Sequence, residues 1–166
     1  YHVIMASRNI ERAKRKREWI ISESGNTDVE IIPIDLASLK SVRAFVEEIF
    51  KREEPVALLM NNSGIMEQQG RTITEDGMER TVQVNYAGHY LLSRLLVPKM
   101  ERGSRIVSMT SLTYRWGRID FPTFFDSGCR GSYWRIFPYF NSKLAVTLFT
   151  IKLAKELKDK GITVNC

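Results

Sequence analysis

The stretch Val56-Ala-Leu-Leu-Met-Asn-Asn-Ser-Gly64 carries the most information about the fold. Val56 to Met60 is a continuous apolar run, which suits a strand covered on both faces in a parallel sheet. Asn61-Asn-Ser-Gly64 follows at its carboxyl end, where open α/β sheets place their ligands. Small and amide residues let the backbone approach a ligand closely there, and the same four residues also suit a plain turn.

Outward from this stretch the chain alternates between short β-rich runs and longer helical ones. Towards the N-terminus, Tyr1 to Ser7 reads as a strand, and Asn9 is placed to cap a helix to about Ser24, closed by Gly25-Asn26. Val29 to Ile34 is the next strand, with Pro33 marking a strand end or sheet edge. Ser38 offers a cap to a helix through about Glu53, and Leu39, Val42, Phe45, Val46, Ile49 and Phe50 recur at the helical period as its buried face. Towards the C-terminus, helix is expected from Thr74 to Met100, with Gly88 as a close-packing point. Arg105 to Met109 is a strand, 112–136 an irregular stretch, Tyr139 to Lys160 a helix ended by Gly161, and Ile162 to Cys166 a final strand. This alternation implies a doubly wound parallel α/β sheet, Rossmann-like, in one partial domain over residues 1–166.

Composition narrows the function classes. A chain of 166 residues with 43% hydrophobic and 27% charged residues is ordinary for a soluble folded domain, and no apolar run approaches a bilayer's thickness. Its first residues read as a strand rather than a signal peptide. The two cysteines, Cys129 and Cys166, form no metal-spaced or redox pair, so no metal site is expected and a reducing intracellular compartment is. The net charge of +6 owes much to Arg12, Lys14, Arg15, Lys16 and Arg17. The run reads as the solvated face of a helix; a nucleic-acid or anionic-membrane patch is disfavoured because no aromatic platform accompanies it.

Tyr139 and Lys143 are four apart on the expected helix and so share a face. A nearby cation favours the ionised form of a phenol, which makes such a pair a usable proton donor and acceptor. Ser111 lies just past the carboxyl end of Arg105-Ile-Val-Ser-Met-Thr-Ser111, where its hydroxyl can meet a substrate oxygen or simply cap a turn. Asn85 sits inside an expected helix, an unfavourable place for asparagine. It is either a satisfied core amide or the site of a helix bend whose amide orders water.

Together these residues resemble the short-chain dehydrogenase/reductase family, strand by strand through the whole chain. Asp35-Leu36 is similar to the family's adenine-contacting Asp-Leu, and Asn61-Asn62-Ser63-Gly64 to its Asn-Asn-Ala-Gly motif, with Ser63 in place of alanine. Asn85, Ser111, Tyr139 and Lys143 match its catalytic tetrad. The segments Val84-Asn-Tyr-Ala-Gly-His-Tyr-Leu-Leu92, Gly117-Arg-Ile-Asp-Phe121 and Asn141-Ser-Lys-Leu-Ala-Val-Thr-Leu-Phe149 look like the retinol dehydrogenase-like branch.

The resemblance implies an oxidoreductase that interconverts a carbonyl and an alcohol. Tyr139 would exchange the proton with the substrate oxygen, Lys143 would support it and hold the nicotinamide ribose, Ser111 would position the carbonyl, and Asn85 would hold a water in the proton path. Cofactor contacts would fall to Arg8, Asp35, Leu36, Asn62, Ser63, Gly64, Tyr139 and Lys143. NAD-using relatives usually carry an acid at the position of Ser7; here Arg8 follows a serine, and a guanidinium suits a phosphate, so NADP is favoured over NAD.

Tyr114, Trp116, Phe121, Phe124, Phe125, Tyr133, Trp134 and Phe137 lie between Ser111 and Tyr139, in the region that flanks the family's substrate. They suit either an aromatic wall for a lipophilic retinoid, steroid or lipid aldehyde, or packing among themselves.

The family's Thr-Gly-x-x-x-Gly-x-Gly phosphate loop has no counterpart in these 166 residues, and neither does its Pro-Gly turn after the last visible strand. The expectation is therefore a fragment of a longer gene product, inactive by itself, whose two flanking apolar strands lack the family's first strand between them. The alternative is a catalytically silent truncated form that acts through protein contacts at those edges. Membrane association would run only through segments outside these residues, and the location would be the cytoplasm or the cytoplasmic face of the endoplasmic reticulum.

Overall fold

In the computed structural model Asn9 is extended, and its side chain accepts the Arg12 amide proton at 2.9 Å, satisfying one of the first-turn donors of α1 (Ile10–Ser24). Gly25 closes that helix in the left-handed conformation, φ 70°, with its N–H on the Ile21 carbonyl. Ser38 caps α2 (Leu39–Phe50) in the same way, accepting from the Ser41 amide. The structure describes residues 1–68, 70–126, 134 and 136–166. Tyr133, Gly128, Gly131 and Cys129 lie outside the described residues.

The strands are β1 (Val3–Ser7), β2 (Val29–Pro33), β3 (Leu58–Asn61), β4 (Arg105–Ser108) and β5 (Thr163–Asn165). All their ladders are parallel, in two groups. β1 pairs with β2, Val3 opposite Val29, and β3 pairs with β4 and β4 with β5, Leu58 opposite Arg105 and Arg105 opposite Thr163. No ladder joins β1 to β3. One core nevertheless spans both groups. Ile32 of β2 is buried with Val42, Phe45, Val46 and Ile49 of α2 and with Leu92 and Leu96 of α4 (Gly88–Leu96), while Ile4 of β1 and Leu59 of β3 pack against them. Each fully buried aliphatic side chain of this kind contributes about 1.5–3 kcal/mol. A second cluster fastens β4 and β5 beneath α5 (Ile136–Leu157) through Ile106, Phe149, Leu153 and Val164.

Three expectations need correction. β3 is not covered on both faces: Leu58 and Met60, on one face, are 54% and 59% exposed, and among the described residues no element packs over them. Phe50, expected in the buried stripe of α2, is exposed and lies 6.0 Å beneath the Lys99 ammonium. Helix does not begin at Thr74. Gly77 adopts φ 75°, the Gly77 amide returns to the Thr74 carbonyl, and Ile73 bridges Glu79, so helix starts only with α3 (Arg80–Val82), capped by the Glu79 side chain. α5 begins three residues before Tyr139, with Pro138 in its first turn, where a missing N–H costs nothing. Among the described residues no helix is long and apolar enough to cross a membrane.

Candidate active site

The site lies at the carboxyl ends of β3 and β4 and is built by three local departures from regular structure. The first is a π-turn, Gln83–Ala87, between α3 and α4. The Gly88 amide donates to the Gln83 carbonyl five residues back, and the bulge holds Asn85 almost fully buried. Asn85 Oδ1 accepts from the Ile65 amide at 2.7 Å, and Nδ2 donates to the Ile65 carbonyl at 2.8 Å and to Ser142 Oγ at 3.1 Å. Its carboxamide thus reads the backbone of the segment after Gly64 like a strand partner and ties that segment to α5. The helix departs from α geometry at Asn85, and the amide finds its partners in Ile65 and Ser142.

The second departure is the turn Asn62-Ser63-Gly64, exposed in all three residues. A Cβ built on Gly64 would lie 3.4 Å from both Asn85 Oδ1 and Lys143 Nζ, so a side chain there would fill the space in front of the lysine. The glycine keeps that space open.

The third is the end of β4. Lys143 is only 3% exposed, and its ammonium donates to the Met109 carbonyl at 2.8 Å and lies 5.6 Å from the centre of the Tyr139 ring. Burial lowers its pKa from the ordinary lysine value, because the charged form loses water. Thr110 Oγ1 donates to the Lys143 carbonyl at 3.1 Å and shares a hydrogen bond with Thr147, which fastens the end of β4 along α5. Ser111 follows directly, half-buried, and its side chain accepts from the Thr113 amide at 3.3 Å, capping the 3-10 turn Leu112–Trp116. That bond uses a lone pair and leaves the hydroxyl proton free. Tyr139 and Lys143 are thus in direct contact, Ser142 links Asn85 to the Tyr139 carbonyl, the space at Gly64 adjoins both Asn85 and Lys143, and Ser111 follows the Thr110 that bonds the Lys143 carbonyl.

The expected cofactor residues divide. Arg8 and Asp35 meet at the ends of β1 and β2, Nη1 to Oδ2 at 3.9 Å, both partly open to solvent, a weak pair at that separation. The Leu36 side chain is buried in the core, and a Cβ on Gly88 would come within 2.7 Å of its carbonyl oxygen, which explains the close-packing glycine. The aromatics also divide. Phe124 is buried with Val82 and Ala145, and its ring packs on Tyr86, whereas Trp116, Phe121, Trp134 and Phe137 are exposed, with Trp116 tilted against Phe140. The Gly117 loop docks on α5, where Asn141 Oδ1 accepts the Arg118 amide and a Cβ on Gly117 would meet the Phe140 carbonyl at 2.6 Å. Sequence reasoning missed Ser142, whose Oγ donates to the Tyr139 carbonyl while accepting from Asn85, and His89, whose Nε2 lies 2.9 Å from the Ser63 carbonyl. Both fall in segments quoted above, but nothing in their spacing revealed partners so far away in the chain.

On the basic face of α1, Arg17 is half-buried and donates to the Val29 carbonyl at 2.6 Å, and the other basic side chains are exposed. Only Ala13 is buried; Lys14 pairs with Glu11, and Lys16 lies over the Trp19 ring.

A nicotinamide cofactor fits the residues present on the nicotinamide side: the Gly64 opening faces an ammonium with donors to spare. The chain is 39% identical over 166 residues to human retinol dehydrogenase 13, covering 99% of this chain and 49% of that protein. It thus spans about half the length of the curated relatives it matches. Its fold superposes on an uncharacterised protein from Mycobacterium paratuberculosis with a TM-score of 0.81 at 30% identity, covering 97% of this chain and 56% of that one. A short chain dehydrogenase from Burkholderia cenocepacia in complex with NADP gives 0.72 at 25% identity, covering 98% and 61%. The model of the short chain dehydrogenase family matches residues 1–124, more than half of the chain, and the parallel strands and the grouping of Asn85, Lys143 and Tyr139 agree with it: the chain belongs to the short-chain dehydrogenase family.

Proposed function

We propose that this chain is the catalytic half of an NADP(H)-dependent oxidoreductase that interconverts a carbonyl and an alcohol on a lipophilic substrate. The observation that carries the proposal is Lys143: an ammonium almost wholly buried, held by the Met109 carbonyl, beside both the Tyr139 ring and the Gly64 opening. Burying an ammonium costs free energy, and such a cost is usually retained where the charge has chemical work.

A bound nicotinamide would supply or accept the hydride. Tyr139 passes the phenolic proton to the substrate oxygen, or takes it in the oxidative direction, with the Lys143 ammonium beside its ring. Ser111 donates its free hydroxyl proton to the same oxygen. The remaining Lys143 donors hold ribose hydroxyls, and Asn85 Oδ1, with one lone pair committed to Ile65, holds a water near Lys143 with the other. Arg8 meets the extra phosphate of NADP at the end of β1, in keeping with the NADP held by the Burkholderia relative. The exposed rings of Trp116, Phe121, Trp134 and Phe137 suit a lipophilic substrate, as retinol is for the human relative its name describes.

A second function is favoured by the open edges of β1 and β3 with Leu58 and Met60 exposed: a silent form that binds protein partners there. Fluorescence titration with NADPH and NADH separates the two. NADPH binding that Arg8→Glu weakens supports the oxidoreductase, and an intact protein that binds neither cofactor leaves the partner-binding reading.

A further inference from the structure

His89 is 7% exposed, on the face of α4 that looks towards the end of β3. Its Nε2 lies 2.9 Å from the Ser63 carbonyl oxygen. A carbonyl only accepts, so Nε2 carries the hydrogen. Burial, the largest influence on this imidazole, lowers its pKa, and the nearby Lys143 charge lowers it further against the opposing pull of the Ser63 bond. The ring is neutral, and in a neutral imidazole with hydrogen on Nε2 the other nitrogen is an acceptor. Nδ1 is buried and has no hydrogen-bond partner among the described residues.

A second orphaned acceptor faces the same place. Asn61, 3% exposed, spends its Nδ2 on Ser93 Oγ at 2.8 Å and Ser108 Oγ at 3.3 Å, while its Oδ1 is buried without a partner. His89, Asn61 and Ser108 all line one small cavity of about 10 Å³ behind the Met109 backbone. That is on the order of the space a single water occupies, and a buried water needs two to four polar partners. Two acceptors match its two hydrogens. The Ser108 hydroxyl, accepting from Asn61, keeps its own proton for the water's oxygen. Leaving two buried acceptors unsatisfied would cost free energy that one water removes.

We propose that His89 is a positioning residue for the Asn62–Gly64 turn: its neutral ring donates from Nε2 to the Ser63 carbonyl, and its Nδ1 accepts from one buried water shared with Asn61. The water fixes the ring, the ring fixes the carbonyl, and the carbonyl fixes the turn that stands in front of Lys143. The effect on cofactor rests on the nicotinamide reading above; the water and the ring tautomer do not.

The test has two arms in the intact protein. A crystal structure that shows ordered solvent is expected to place a water within about 2.7–3.2 Å of both His89 Nδ1 and Asn61 Oδ1, and imidazole nitrogen chemical shifts are expected to show hydrogen on Nε2. A dry cavity, or hydrogen on Nδ1, overturns the proposal even if no variant folds. In the second arm, His89→Gln keeps a donor where Nε2 stands, whereas His89→Asn is too short to reach Ser63. NADPH affinity is expected within twofold of wild type for His89→Gln and roughly three- to tenfold weaker for His89→Asn. Equal losses in both, with unchanged melting, would reduce His89 to a packing residue. If the wild-type protein binds no nicotinamide cofactor, the function proposed above fails, and the crystallographic and chemical-shift arm still decides the role of His89.

Discussion

Helices α1 and α5 both carry lysines, in opposite settings. α1 buries only Ala13; Lys14 is exposed and bonded to Glu11 at 2.9 Å, an ordinary surface pair of little energetic consequence. α5 buries Ser142, Lys143, Ala145, Val146, Phe149 and Leu153 among others, and Lys143 donates to a backbone carbonyl. The Lys14 charge stays in solvent, as does Lys152 further along α5, while the Lys143 charge has given up water and is held beside a phenol ring. Number of charges says little here; loss of solvent says much.

The largest effect that would sharpen this contrast is catalytic. Lys143→Met is expected to lower kcat/KM for NADPH-dependent carbonyl reduction on the order of 10²–10⁴-fold, and the double change Lys14→Gln with Arg15→Gln to leave it within twofold. A loss in the α1 double variant comparable to that of Lys143→Met would break the comparison.

Packing gives the next effect. Leu153→Ala, at a fully buried position, is expected to cost about 2–5 kcal/mol in denaturant unfolding, whereas Trp19→Ala on the open face of α1 stays within about 0.5 kcal/mol. Gly88→Ala should cost about 1–3 kcal/mol, because its Cβ must displace the Leu36 backbone.

The smallest effect is in pH dependence. Lys143 has a folded pKa below the ordinary 10.5, so the unfolded chain binds more protons in the window beneath that value. Stability therefore rises with pH across that window, is lost as pH falls back through it, and is level below it. Lys143→Met is expected to flatten this rise and to be no less stable than wild type at neutral pH. Lys14→Met should leave the slope as it is. Chemical denaturation at several pH values measures both.

Much of this contrast was readable in the residues. Caps at Asn9, Ser38 and Gly25 are local devices, decided by groups three or four positions away, and all three formed as expected. The pairing of Tyr139 with Lys143 is also local, one helical turn. What was not legible depends on distant partners. That Asn85 would bond Ile65 and Ser142, 20 and 57 residues away, cannot be read from its own neighbourhood. Leu58 and Met60 read as buried because apolar character reports a preference for cover, and the cover belongs to neighbouring strands and helices. Thr74 to Glu79 read as helix because Gly77 at positive φ and the bridge from Ile73 to Glu79 leave only a weak mark in the pattern.

The central claim is that Tyr139, beside the buried Lys143, moves the proton in a nicotinamide-dependent reaction. It is tested most directly by comparing the intact wild-type protein with Tyr139→Phe, measuring NADPH affinity and carbonyl-dependent NADPH oxidation on the same samples. The account predicts affinity within about threefold and turnover lower on the order of 10²–10⁴-fold. A Tyr139→Phe protein that binds NADPH and turns over at the wild-type rate would contradict it.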